Sequence, residues 1–135
     1  MPTSGVQPAE GKNEDLNGYW GKILKADLST GDHTVEEPHE SFYRRYLGGS
    51  GLVGYYLLKD VPRGADPLGP DNVWIFAAGP VTGVPLAGAG RNTMGAKTPL
   101  SGGYGEADVG GFFGAELRHA GYDAVVVRGR AATPV

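Results

Sequence analysis

Two glycine-rich stretches carry the residues whose types and spacing best suit chemistry. One, Gly79 to Gly90, leads directly into Arg91. The other, Gly102-Gly103-Tyr104-Gly105, leads through Asp108 to Gly110-Gly111, where a helix is expected to begin. Backbone N–H groups at a helix start, unobstructed by side chains, form an anion site. Arg91 adds a planar fork for a phosphate or another flat polar group. A carboxylate oxygen of Asp108 can hold a divalent cation beside phosphates. Arg91, Asp108, Gly110 and Gly111 together suit a large phosphorylated ligand. On spacing alone a plainer alternative stays open: Asp108 as a helix N-cap only, and Arg91 as a surface charge.

No other constellation reaches that level. Gly49-Ser50-Gly51-Leu52-Val53-Gly54 spells G-x-G-x-x-G, but it follows a predicted helix where a dinucleotide fingerprint needs a strand. A helix–helix break with close packing is the better reading. Gly95-Ala96-Lys97-Thr98 lacks the Gly-Lys-Ser/Thr core of a phosphate-binding loop. His33, His39 and His119 stand apart, and His119 falls in a last helical turn, where a cation is favourable in any case. Glu14-Asp15 and Glu36-Glu37 read as solvated acids, and Ser50 and Ser101 have no nucleophile-elbow context. Tyr55, Tyr56, Trp74, Phe112 and Phe113 lie in apolar segments and are expected in the core. The residues offer ligand-binding groups and no catalytic set.

The elements that must position them follow from hydrophobic periodicity. The spacing predicts a strand from Tyr19 to Leu28, a turn at Ser29-Thr30-Gly31-Asp32 and a return strand from His33 to Glu37. A helix is predicted from about His39 to Leu47, with Phe42, Tyr43, Tyr46 and Leu47 on its apolar face, and a second from Leu52 to Lys59. Val73 to Ala78 reads as a buried strand, Arg91 to Thr98 as another, and Pro99 to Gly105 as a loop. Asp108 is expected to cap a helix from about Gly111 to His119, closed by Gly121, before a last strand from Ala124 to Val127. The order predicts an α+β domain.

Composition sets outer bounds. At 135 residues the chain fits one domain, with residues 1–17 read as a flexible leader and 18–135 as the domain. Twenty-four glycines without a G-X-Y period imply many tight turns or close backbone approaches. The absence of cysteine excludes disulfides, zinc–thiolate sites and a self-contained iron–sulfur cluster within these residues. A net charge of −3 with scattered Lys and Arg lacks the basic footprint of a nucleic-acid binder. The start has no apolar h-region and the run Val73 to Ala78 is too short for a bilayer. No membrane partner is expected, and a cytoplasmic location is.

Taken in order, the segments resemble the N-terminal domain of the aldehyde ferredoxin oxidoreductase family. The stretches that carry the likeness begin with Tyr19-Trp20-Gly21-Lys22-Ile23-Leu24, Asp27-Leu28-Ser29-Thr30-Gly31 and Tyr46-Leu47-Gly48-Gly49-Ser50-Gly51-Leu52. Asp66-Pro67-Leu68-Gly69-Pro70-Asp71-Asn72, Ala78-Gly79-Pro80-Val81-Thr82-Gly83 and Lys97-Thr98-Pro99-Leu100-Ser101-Gly102-Gly103 come next. Gly110-Gly111-Phe112-Phe113-Gly114-Ala115-Glu116-Leu117 and Ala120-Gly121-Tyr122-Asp123-Ala124 complete the set, which runs from about Gly18 to Val135.

The resemblance implies a β-sheet-based domain with short helices that cradles a tungsten or molybdenum bis-pterin cofactor. It implies oxidation of aldehydes to carboxylic acids, with electrons passing through a [4Fe-4S] cluster to ferredoxin; some relatives act on other substrates, including aromatic acyl thioesters. Arg91 matches the family arginine that contacts the pterin. Asp108 aligns with a position, commonly Asn, whose backbone carbonyl helps hold the magnesium between the pterin phosphates. The family's cysteine ligands and acid–base residues lie beyond this span, so the iron–sulfur cluster is expected only from that C-terminal region. Family members continue for hundreds of residues and are expected to be homodimers when complete. The remainder is expected in cis or as a separate subunit. A split subunit, a cofactor carrier and a gene fragment with an unpaired edge strand near Val127 are the rival expectations.

Overall fold

The computed structural model describes residues 17–133, so the expected leader lies outside the described residues apart from Asn17. In chain order the elements are β1 (Ile23–Asp27), β2 (His33–Glu36), α1 (Glu40–Tyr46), α2 (Ser50–Asp60), β3 (Val73–Ala78), β4 (Asn92–Lys97), β5 (Tyr104–Val109), α3 (Phe113–His119) and β6 (Ala124–Arg128). The strands make one mixed sheet in the order β2-β1-β6-β3-β4-β5. An α+β architecture is the result.

β1 and β2 form the expected hairpin, with Gly31 at φ +80° in its turn. β6 corrects an expectation. It is interior, parallel to β1 on one side and antiparallel to β3 on the other, and Val127 pairs with both Ala26 and Trp74. Three consecutive valines suit a strand hydrogen-bonded to a neighbour on each side. The edges are β2 and β5 instead.

β5 is the element that residue types did not reveal. Tyr-Gly-Glu-Ala-Asp-Val is poor in β-formers, and it becomes a strand because the Thr98–Gly103 turn folds it back on β4. The Thr98 N–H donates to the Gly103 carbonyl at 2.9 Å and the Gly102 N–H to the Thr98 carbonyl at 2.8 Å.

One face of the sheet is closed by α1 and α2. Ile23, Val73, Ile75, Ala77, Ala124 and Val126 pack there against Tyr43, Leu52, Val53 and Tyr56. Each large apolar side chain so buried contributes roughly 1.5–3 kcal/mol. α1 is capped by His39, whose Nδ1 accepts from the Ser41 N–H, and Arg44 and Arg45 in its last turn complement the helix dipole. Leu47, expected on the apolar face of this helix, is 61% exposed with φ +61°, because the backbone reverses there into Gly48-Gly49. The G-x-G-x-x-G stretch serves packing: a Cβ on Gly51 would lie 2.0 Å from the Tyr46 carbonyl oxygen.

Three aromatics expected in the core are at the surface. Trp74, Phe112 and Phe113 are 48%, 84% and 47% exposed, whereas Tyr56 is buried. For Trp74 the reason is strand alternation, since Val73, Ile75 and Ala77 turn to the helices and Trp74 and Phe76 to the opposite side. Phe112 and Phe113 stand at the start of α3, outside the helix-covered core. Glu36, expected to be solvated, is half-buried. It accepts from the Tyr56 hydroxyl at 3.1 Å and from Lys59 at 3.1 Å, and pairs with Lys25 at 3.2 Å. Glu14-Asp15 lie outside the described residues.

Candidate cofactor-binding end of the sheet

Three loops converge where β3 and β5 finish and β4 begins. Asn92 is in register with Ala78 on one side and Val109 on the other. The next residues outward are therefore Gly79, Arg91 and Gly110. From α2's side the Gly49 N–H donates to the Ala78 carbonyl at 3.2 Å.

The long loop before Arg91 is held by its own contacts. Thr82, 5% exposed, accepts from the Gly79 N–H at 2.8 Å and donates its hydroxyl proton to the Arg91 carbonyl at 2.7 Å. The Gly83 N–H donates to the Ala89 carbonyl at 2.8 Å. The Arg91 backbone is thereby fixed while its side chain is exposed. Among the described residues no acid pairs with that guanidinium, which leaves its fork open to an anion.

Asp108 is not a helix cap. It lies within β5, where its carboxylate accepts from the Thr93 hydroxyl at 2.9 Å. α3 starts later, at Phe113, behind Phe112 and with no side-chain cap. Register explains the difference, because Asp108 sits opposite Thr93 in the β4–β5 ladder and is spent on that neighbour. Gly110 and Gly111 consequently form a turn ahead of the helix and not its first turn. Gly111 has φ +98°, which a side chain would strain. A Cβ on Gly110 or Gly111 would meet nothing within 4 Å, so bare backbone faces open space there. A Cβ on Gly90 would come within 3.1 Å of the Gly111 carbonyl, which is how closely the two glycine-rich stretches approach.

The structure thus brings Arg91, Gly110 and Gly111 together and places Asp108 two residues back along the same edge strand. Beneath them, Asn92 is 3% exposed and packs under α3, where a Cβ on Gly114 would lie 2.9 Å from its Oδ1. Neither polar atom of its amide has a partner, a costly arrangement of the sort found at functional sites. Among the described residues no group of three His, Asp or Glu could hold a metal ion. A cation here would rely on backbone oxygens and on its own ligand's phosphates.

Sequence reasoning missed a second polar centre, Asp123. Its carboxylate, 1% exposed, accepts from the N–H groups of Trp20 at 3.0 Å, Gly21 at 2.7 Å and Lys22 at 3.2 Å, and it pairs with Arg118. Arg118 also donates to the Gly18 carbonyl at 2.6 Å, so the segment entering β1 is clamped onto the start of β6. Burial, with the Asp123 charge adding to it, pushes the nearby Tyr43 hydroxyl far above its ordinary range. No spacing rule announces a partnership 100 residues apart.

Residues 23–135 match the family described as aldehyde ferredoxin oxidoreductase, N-terminal domain. The chain belongs to this family. A tungsten-containing aldehyde ferredoxin oxidoreductase of Pyrococcus furiosus is 48% identical over 120 residues, which cover 89% of this chain and 20% of that protein. An aliphatic sulfonate oxidoreductase WOR-like subunit of the same organism is 33% identical over 123 residues, covering 89% of this chain and 19% of that one. Among solved structures, the active-site complex BamBC of benzoyl coenzyme A reductase superposes with a TM-score of 0.81 at 32% identity, covering 86% of this chain and 18% of the other. The chain therefore spans about a fifth of the length of the relatives it matches. No helix among the described residues is long and apolar enough to cross a membrane.

Proposed function

We propose that this chain is the cofactor-binding N-terminal portion of an aldehyde oxidoreductase, holding one side of a tungsten or molybdenum bis-pterin. The observation that carries the reading is the meeting of an unpaired, exposed Arg91 with the bare backbone of Gly110 and Gly111 at one end of the sheet. That end suits a large anionic group: an exposed guanidinium on one side and, on the other, two glycines at which a Cβ would meet nothing within 4 Å. The bound metal centre supplies the redox chemistry that takes aldehyde to carboxylic acid. The role of these residues is to bind and orient the pterin phosphates. Asp108, through its backbone carbonyl on an edge strand, helps hold the magnesium between them.

Residues 18–135 act as the domain, and residues 1–17 as its leader. The [4Fe-4S] cluster, the acid–base residues and the route to ferredoxin belong to the region beyond this span, so the chain alone is inactive. The complete enzyme works in the cytoplasm as a homodimer. A relative named as a subunit of an oxidoreductase supports a second form of the same reading, in which the remainder is a separate polypeptide.

The test is tungsten, molybdenum and pterin content of the protein purified from its native source through an N-terminal tag. Arg91→Ala is expected to lower bound pterin by roughly tenfold or more, the equivalent of one charge-assisted hydrogen bond, while Arg45→Ala on α1 leaves it unchanged. Full pterin occupancy in Arg91→Ala, or wild-type protein devoid of both metals, would sink the proposal.

A further inference from the structure

α2 carries a glycine that its packing does not require. Gly54 sits inside the helix Ser50–Asp60, where glycine is the poorest helix former apart from proline. Gly51 in the same helix is held to glycine by the Tyr46 carbonyl, but a Cβ on Gly54 would meet nothing within 4 Å. The space left there belongs to a surface groove of about 440 Å³, a size typical of small-molecule sites. Leu57, Leu58, Val61 and Pro62 line it from the end of α2, and Tyr104 lines it from the start of β5. Leu58, one turn on from Gly54, is 89% exposed.

Two cations, Arg63 and Lys97, and no acid stand among the residues that line this groove. Among the described residues no acid pairs with Arg63, so its planar fork is open to a carboxylate. Lys97 Nζ donates to the Ala65 carbonyl at 2.6 Å, which leaves further protons of the ammonium for a ligand. The Tyr104 hydroxyl is already spent on the Glu106 carboxylate, so this residue offers its ring and not a proton.

We infer that the groove binds a small carboxylate with an apolar tail or ring. The carboxylate takes Arg63 and Lys97, and the hydrocarbon lies over Gly54 against Leu57 and Leu58. A bare ion would leave the apolar walls unused, and a neutral hydrocarbon would leave the cations unpaired; an amphipathic anion satisfies both. The site stands apart from the cofactor-binding end, because Lys97 and Tyr104 pair at one end of the β4–β5 ladder and Asn92 and Val109 at the other. The inference is therefore independent of the cofactor reading.

The test is a ligand-observed NMR titration with octanoate, on the protein purified from its native source through an N-terminal tag. Saturable binding is expected at roughly 1–5 mM for a ligand of about ten non-hydrogen atoms. Octan-1-ol, which lacks the charge, and acetate, which lacks the tail, should each bind about tenfold more weakly or worse. Arg63→Gln should weaken octanoate by about tenfold as well. Gly54→Leu fills the groove and should abolish binding without lowering Tm, since leucine is the better helix former. Octanoate bound as tightly by Gly54→Leu as by wild type overturns the inference. So does octan-1-ol matching octanoate, or no saturation by about 50 mM. Should Gly54→Leu lower Tm, Arg63→Gln decides, and an unchanged octanoate affinity there overturns the inference. Binding lost in Arg91→Ala but kept in Gly54→Leu places the carboxylate at the other end of the sheet and overturns it too. Pterin content stays the measure of that other site, so either reading can fail alone.

Discussion

Ile75 and Phe76 are neighbours in β3 and have opposite fates. Ile75 is fully buried against α2, while Phe76 lies on the open face between Val125 and Met94. Both faces carry apolar side chains, and they differ in whether this stretch of chain supplies a cover. Hydrophobicity states a demand for burial, and only the path of the backbone decides whether local elements meet it. α1 and α2 return over one face because Gly48 to Gly51 allow them to fold back on β3 and β4. No comparable pair of helices among the described residues returns over the other.

The largest expected effect separates the clamp from both faces. Asp123→Ala strands a buried guanidinium and three backbone donors, and should lower the unfolding free energy by roughly 3–5 kcal/mol. Urea titration reads it directly, and a loss below half of that would mean that solvent readily replaces the carboxylate.

The contrast between the two faces gives the next largest effect. Ile75→Ala should cost about 2–5 kcal/mol in the free chain, whereas Phe76→Ala should cost well under half as much because its ring is only partly covered. Equal costs would break the distinction between a finished face and an unfinished one. Inside a complete enzyme the Phe76 effect should grow toward that of Ile75, which sharpens it.

The smallest effect concerns the Glu36 cluster. Burial raises the carboxyl, but the Lys59 hydrogen bond and the Lys25 charge outweigh it and hold the group below its ordinary 4.5. A depressed folded value means that the stabilisation is complete above that ordinary value and is lost as pH falls through the lowered one. Glu36→Gln should therefore lose no more than about 1 kcal/mol at neutral pH, and its stability should converge on wild type below the carboxylate range. Curves that stay parallel down to strong acid would show that Glu36 carries no pH-linked stability.

Much of this architecture is legible in the residues alone. The Gly31 turn, the His39 start of α1, the Gly121 stop after α3 and the Val-rich last strand all emerge from spacing because each depends on neighbours a few residues away. Arg91 and the Gly110-Gly111 pair are legible as candidate anion-binding residue types, although what brings them together is the β4–β5 ladder. β5 is not, because its residues have weak strand preference and only the β4 edge makes them extended. Nor is the role of Asp108, whose partner Thr93 is fixed by cross-strand register and not by sequence spacing.

By itself the sequence determined the family and the α+β class and singled out candidate anion-binding residues, because these depend on residue types and local order. The tertiary structure alone decided that Val127 is interior, that Trp74 and Phe76 face outward, and that Asp123 gathers the donors of Trp20, Gly21 and Lys22. Each of those outcomes depends on which distant strand arrives alongside. Pairing partners some hundred residues apart are selected by the free energy of the whole sheet, and no local window contains that quantity.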